Sequence, residues 1–264
     1  VFVSGGVVVV AHRVRRRTVH ALLVGCLAVG VAGCGGVDVA GAPVERQVFP
    51  FDGSTLTVDA GDSDVELVPA DVADVEVARQ VDGWVVAGNG PDATWRMEDG
   101  TLTLRVRCEA LVENCGARHE VKVPRGVAVT LRGDNGTVTA DGFTAALTLR
   151  TDNGDLAVRD ARGPLDLHTD NGTLRVEGAA SKAVTARSEN GDVHLGLRAV
   201  PDRVEGRSEN GEVVVELPAG SGAYAVDAGS GNGDVRADVP RDPASPRAVT
   251  ALSENGDVTV RTAN

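Results

Sequence analysis

Carboxylates recur along this chain at regular intervals. One set precedes an Asn-Gly pair, at Asp134, Asp152, Asp170, Glu189, Glu209 and Glu254; another follows it, at Asp155, Asp192, Glu212, Asp234 and Asp257. Repeated oxygen ligands are what a hard cation such as Ca²⁺ requires. Asp155, Asp192, Glu212, Asp234 and Asp257 are therefore the candidate metal ligands, and a cation-binding surface protein is one reading of the sequence. The other is turn chemistry with salt pairing, because Arg132, Arg150, Arg187 and Arg207 each lie three residues before an Asn of the pair. Stacked like charges repel unless they are solvated or countered, and the second reading carries more weight.

Gly229-Ser230-Gly231-Asn232-Gly233-Asp234 is similar to a calcium-binding nonapeptide repeat, but the period here is 18–23 residues and the glycine-rich run does not recur. Catalysis is a third reading. A polysaccharide lyase or hydrolase on a β-helix needs a charged cluster that departs from the repeat. Here the charges follow the repeat, and His119, His168 and His194 fall at unrelated positions. The Ser-rich turns lack His and Asp at the spacing of a triad. The chain reads as a non-enzyme, with no cofactor implied. Aromatics make up 3% of it, too few for a sugar-binding platform, and Trp84 and Trp95 are expected in the core of an N-terminal cap. That irregular cap and the loop at 240–246 are the better places for recognition.

The elements that carry these residues follow from the Asn-Gly pairs. These begin at Asn135, Asn153, Asn171, Asn190, Asn210, Asn232 and Asn255, spaced by 18, 18, 19, 20, 22 and 23 residues. Asn-Gly centres tight turns because both residues tolerate positive φ. Period-2 alternation flanks each turn, with Leu147 and Leu149 before one, and Leu156 and Val158 after it. That alternation marks half-buried strands, two per repeat, and no segment sustains a helical period. The predicted fold is all-β, a single-stranded parallel β-helix or β-solenoid of about 18–23 residues per coil with an irregular N-terminal β cap. An antiparallel meander or sandwich is the alternative. The solenoid is favoured by the column two residues before Asn, where Thr151, Thr169, Ser188, Ser208, Ser230 and Ser253 all carry a small hydroxyl. Stacked Asn side chains would form an amide ladder, with Asn255 at its end if coils stack in chain order.

These repeated turns, with a lipoprotein-like N-terminus before them, resemble the bacterial adhesin-like family with β-strand repeats known as domain of unknown function 4097. The resemblance covers roughly residues 51–260. It implies a right-handed solenoid at the cell surface, associated with envelope stress, and supplies no catalytic residues.

The N-terminus reads as an export signal. Arg13, Arg15, Arg16 and Arg17 form a basic cluster, residues 21–33 are uncharged and apolar, and Val31-Ala32-Gly33-Cys34 resembles a lipobox. That apolar run is too short to span a bilayer. Cys34 is the expected lipidation site, which places the protein on the extracytoplasmic face of the cell membrane. Residues 1–33 form the signal (1–13 reading as an over-extended start), 34–47 a flexible tether, 48–128 the cap with a first coil, and 129–264 the regular repeats. Cys108 and Cys115 are a disulfide pair in an oxidising compartment. The net charge of −12, more acidic still without the basic signal, argues against nucleic acid. The partner is an unidentified surface or envelope ligand, a protein or a cell-wall polymer, and the membrane is contacted through the lipid alone.

Overall fold

The computed structural model describes residues 39–263. The expected export signal and Cys34 lie outside these residues. After a 3-10 turn at Val39–Gly41 come β1 (Glu45–Phe49), β2 (Thr55–Asp62), β3 (Asp64–Ala70), β4 (Val75–Glu98) and β5 (Thr101–Pro124). Seven strand pairs follow: β6 (Ala128–Asn135) with β7 (Val138–Asp141), β8 (Leu147–Asn153) with β9 (Leu156–Arg159), β10 (Leu165–Asn171) with β11 (Leu174–Ala179), and β12 (Ala183–Asn190) with β13 (Val193–Leu197). The last three are β14 (Arg203–Asn210) with β15 (Val213–Leu217), β16 (Ala225–Asn232) with β17 (Val235–Asp238), and β18 (Ala248–Asn255) with β19 (Val258–Thr262). Each pair is one coil.

Neighbouring coils are parallel and in register: Leu165 pairs with Leu147 and Val184, and Asn171 with Asn153 and Asn190. This is a β-solenoid, and the antiparallel alternative does not hold for the repeats. Alternate residues point inward. Leu149, Leu167 and Ala186 line one wall and Leu156, Leu174 and Val193 the other, all buried. Burying each large side chain contributes about 1.5–3 kcal/mol, and the period-2 pattern repeats that gain in every coil.

The Asn of each pair does not take the positive φ expected from its composition. Among the described residues only Ala87, Asp99 and Asp160 combine a side chain with positive φ. Positive φ is confined to the glycine at Gly136, Gly172, Gly191 and Gly256, and the corner needs glycine for space as well. A Cβ on Gly172, Gly191 or Gly211 would fall on the carbonyl of the corner glycine in the preceding coil. The corner backbone is also laddered, as Gly172 N donates to Asn190 O and Gly191 N to Asn210 O, both at 3.0 Å.

Both ends of the stack depart from chain order. At the C-terminal end β18 pairs with β14 on one side and β16 on the other, and β19 lies between β15 and β17. The last coil is thus inserted, and Asn232 rather than Asn255 ends the column. The inward residues explain this order. The inserted coil presents Val249, Ala251, Val258 and Val260, all fully buried, whereas the end coil presents Val226, Ala228, Val235 and Ala237. Placing Val260 rather than Ala237 inside gains burial worth about 1–2 kcal/mol. Gly229 and Gly231 in β16 also make a poorer interior strand.

At the N-terminal end β5 runs beside β2 through residues 101–103 and beside β3 through residues 118–124. The β2–β3 coil is therefore interior, not first in the stack. Outside it, β4 pairs antiparallel with β5 along its length around the turn at Asp99 and Gly100, and β1 covers β4. Cys108 and Cys115 are bonded within β5, with Cα atoms 6.5 Å apart. Seven residues of extended strand would span about 23 Å, so the β4–β5 ribbon folds back between the two cysteines, and β5 reaches β2 before this reversal and β3 after it. The stretch read as a tether is partly docked: Gln80 Nε2 donates to Ala40 O and Ala42 O, and β1 begins at Glu45.

Gly211→Ala should lose about 3 kcal/mol or more, because its Cβ meets the Gly191 carbonyl, backbone that cannot move aside. Gly220 has positive φ but open space around it, so Gly220→Ala should lose only about 1 kcal/mol. Urea melts of the two variants check the contrast; similar losses would show that corner packing is not limiting.

Candidate functional site

Each repeated polar position occupies its own column. The Asn side chains form a ladder: Asn171 Nδ2 donates to Asn153 Oδ1 at 3.0 Å, Asn190 to Asn171 at 3.1 Å, Asn210 to Asn190 at 2.9 Å, Asn255 to Asn210 at 3.0 Å and Asn232 to Asn255 at 2.9 Å. At the other end Asn135 donates to the Asp62 carboxylate. An amide both donates and accepts, so it can continue such a chain where a carboxylate cannot. The hydroxyl column points inward. Thr169, Ser188, Ser208, Ser230 and Ser253 each donate to a corner glycine carbonyl of the adjacent coil, at 2.8–3.0 Å. Gly133 takes the hydroxyl's place in the coil before Thr151.

The candidate metal ligands are spread along the column that follows the corner glycine. Asp155 Oδ1 accepts from Thr173 N at 2.7 Å, Asp192 Oδ1 from Glu212 N at 2.8 Å, and Asp257 Oδ1 from Asp234 N at 2.8 Å. These carboxylates cap backbone N–H groups of the next coil. Among the described residues no group of three or more His, Cys, Asp or Glu side chains is arranged to hold a metal ion.

On the outer face of the first wall, Arg132, Arg150, His168, Arg187 and Arg207 stack in register. The column then changes character, because Leu252 and Gly229 follow Arg207. Loss of the long side chains opens a groove of about 580 Å³, lined by Arg187, Arg207, Glu209, Gly229, Leu252 and Glu254 among others. Its cationic side is fixed from beneath. Glu205, with a side chain only 7% exposed, accepts from Arg187 at 2.8 Å, Arg203 at 3.0 Å and Arg207 at 2.7 Å. Burial opposes its charge, but the three guanidiniums prevail and bring its carboxyl down to about 2. An acid so strongly held is no proton donor at neutral pH, and the groove's serines direct their hydroxyls at glycine carbonyls. The groove therefore offers charges of both signs and His168 around the Leu252 side chain, an arrangement for holding a ligand.

Both tryptophans are expected in the cap core from the sequence. Trp95 is there, with Phe49 edge-on at 6.2 Å and the Arg79 guanidinium 4.0 Å above its ring. Trp84 is 47% exposed. His119, which sequence reasoning left unassigned, is buried beside Val65 with neither ring nitrogen bonded. Burial, with the charge of Arg79, lowers its pKa to about 4.

Comparison with known proteins supplies the remaining observation. The Toastrack DUF4097 family matches residues 50–264. Among solved structures, a "putative adhesin" from Bacteroides fragilis NCTC 9343 is similar with a TM-score of 0.50 and 15% identity, over 84% of this chain and 97% of that one. Another from Parabacteroides distasonis ATCC 8503 has a TM-score of 0.44 and 15% identity, over 84% and 98% of the respective chains. No curated protein matches the chain. At such identity the Bacteroides structure speaks for the fold alone.

Two outcomes follow from this geometry. Asn190→Ala breaks amide contacts above and below and should lose about 1–3 kcal/mol, whereas Asn232→Ala at the ladder's end should lose less; equal shifts in melting would contradict the ladder. His119 stays neutral in the fold down to pH about 4, while the unfolded chain protonates it near 6.5. Stability is therefore complete above that upper value and falls by up to about 3 kcal/mol as the pH drops to the lower one. Urea midpoints measured across this window should fall more for the parent protein than for His119→Phe.

Proposed function

The chain belongs to the Toastrack DUF4097 family, and from that premise we propose an adhesin-like binding or scaffold protein of the cell surface, without catalytic activity. A lipid on Cys34 holds it at the extracytoplasmic face of the membrane, and its ligand is a protein or cell-wall polymer of the envelope. A part in the envelope's response to stress belongs to the same reading. The observation that carries it is the use made of the repeated polar residues. Amides, hydroxyls and post-glycine carboxylates are spent on joining coil to coil, which leaves a regular stack whose groove is lined by Arg, Glu and His168 side chains. The description of the solved relatives as putative adhesins agrees with this, as does the lipobox-like run ending in Cys34. The acidic net charge of −12 argues against nucleic acid as the ligand.

Expression of the full-length chain and of Cys34→Ala in a bacterial host, followed by fractionation, tests both halves of this reading. The parent protein should stay with the membrane and carry a diacylated Cys34 by mass spectrometry, and the variant should be released. Isolated cell envelopes should then retain the released protein. Membrane association of the variant would refute the anchor, and failure of envelopes to retain it would refute the binding role.

A further inference from the structure

We propose that the open end of the solenoid, the coil β16–β17, is a two-fold interface with a second copy of this chain. Among the described residues β16 pairs only with β18 and β17 only with β19; Arg241 bridges Tyr224 just before β16, and beyond that bridge each strand presents a row of unpaired backbone donors and acceptors on its far side. Their inward residues are uncovered on that side as well. Val226, Ala228 and Ala237 are only partly buried, and Val235 is 47% exposed, where the matching residues one coil inward are fully buried.

The geometry points to a like partner. A solenoid end is matched best by a coil with the same two walls and the same spacing between them. The opposite end of the stack cannot supply it, because antiparallel β4 and β1 close that end. Head-to-tail stacking into a filament is therefore blocked, and end meets like end. Such an isologous contact is a closed two-fold dimer, with β17 antiparallel to β17 of the second copy and β16 to its β16.

Charge sets the register. Arg236 and Asp238 are exposed on the outer face of β17, two residues apart. Among the described residues neither takes part in an ion pair. Arg261, the neighbour of Asp238 in register, turns instead to Glu216 at 2.6 Å. Antiparallel pairing of β17 about Ala237 brings Arg236 opposite Asp238 of the second copy, and Asp238 opposite its Arg236, so the free charges are satisfied twice. The usual guards against edge pairing are a proline or an inward-pointing charge; β16 and β17 contain neither.

Sedimentation equilibrium of the full-length chain in density-matched detergent tests this. The parent protein should have twice the monomer mass. Arg236→Asp and Asp238→Arg each place like charges across the contact and should weaken the dimer at least about tenfold. The double variant Arg236→Asp/Asp238→Arg restores opposite pairs and should dimerise like the parent. Unchanged thermal melting of the isolated monomers would show that the folds are intact, as expected for exposed residues. A monomeric parent would overturn the proposal, including one whose end coil is covered by residues 1–38 of its own chain. Single variants that still dimerise, or a folded double variant that does not, would overturn it equally.

Discussion

At the Asn-Gly corners from Gly154 onward two backbones meet with no side chain between them. The carbonyl of one corner glycine lies where the Cβ of the next would be, and the corner N–H donates to the coil above. That contact fixes the rest. Once it forms, the Asn beside it stands over an Asn, the hydroxyl two residues earlier meets a glycine carbonyl, and the strands on both sides enter in register. A slip of one residue would turn every inward Leu and Val to solvent, so corner and core select the same alignment.

The stack is uniform in its interior and irregular at its ends for the same energetic reason. Interior coils bury their inward residues against two neighbours, end coils against one. The chain responds by placing its weaker coil outside. Residues 225–238, with Gly229, Gly231 and Ala237, lie at the end, while the more apolar 248–262 are threaded within. At the opposite end a long hairpin reverses direction, so that antiparallel strands and the Glu45–Arg79 ion pair close the stack.

Much of this was legible in the sequence. The Asn-Gly spacing and the Thr/Ser column gave the parallel stack, and the alternation around Leu147 and Leu156 gave the core. Three features were not legible. Composition alone could not separate glycine required by φ from glycine required by contact, because both favour the same residue. The position of coil 248–262 depends on a comparison of burial between two coils with near-identical motifs, Ser253-Glu254-Asn255 and Ser230-Gly231-Asn232, which a linear reading places in chain order. The groove arises where Leu252 and Gly229 interrupt the column of Arg187 and Arg207, and that Leu252 rather than Gly229 lies beside Arg207 follows only from the inserted coil. The disulfide pair was legible from compartment and count.

A repeat of this kind spends most of its polar groups on itself, and function is left to the places where a column changes. The central claim is therefore the order of the coils, since the groove and the open end both follow from it. Paired cysteines test it most directly. Arg207 lies beside Leu252, with Gly229 one coil further, so Arg207→Cys/Leu252→Cys should form a disulfide on mild oxidation. Arg207→Cys/Gly229→Cys, about 10 Å apart across two coil spacings, should not. The reverse outcome would mean that the coils stack in chain order, contradicting this account of the groove and of the solenoid's end.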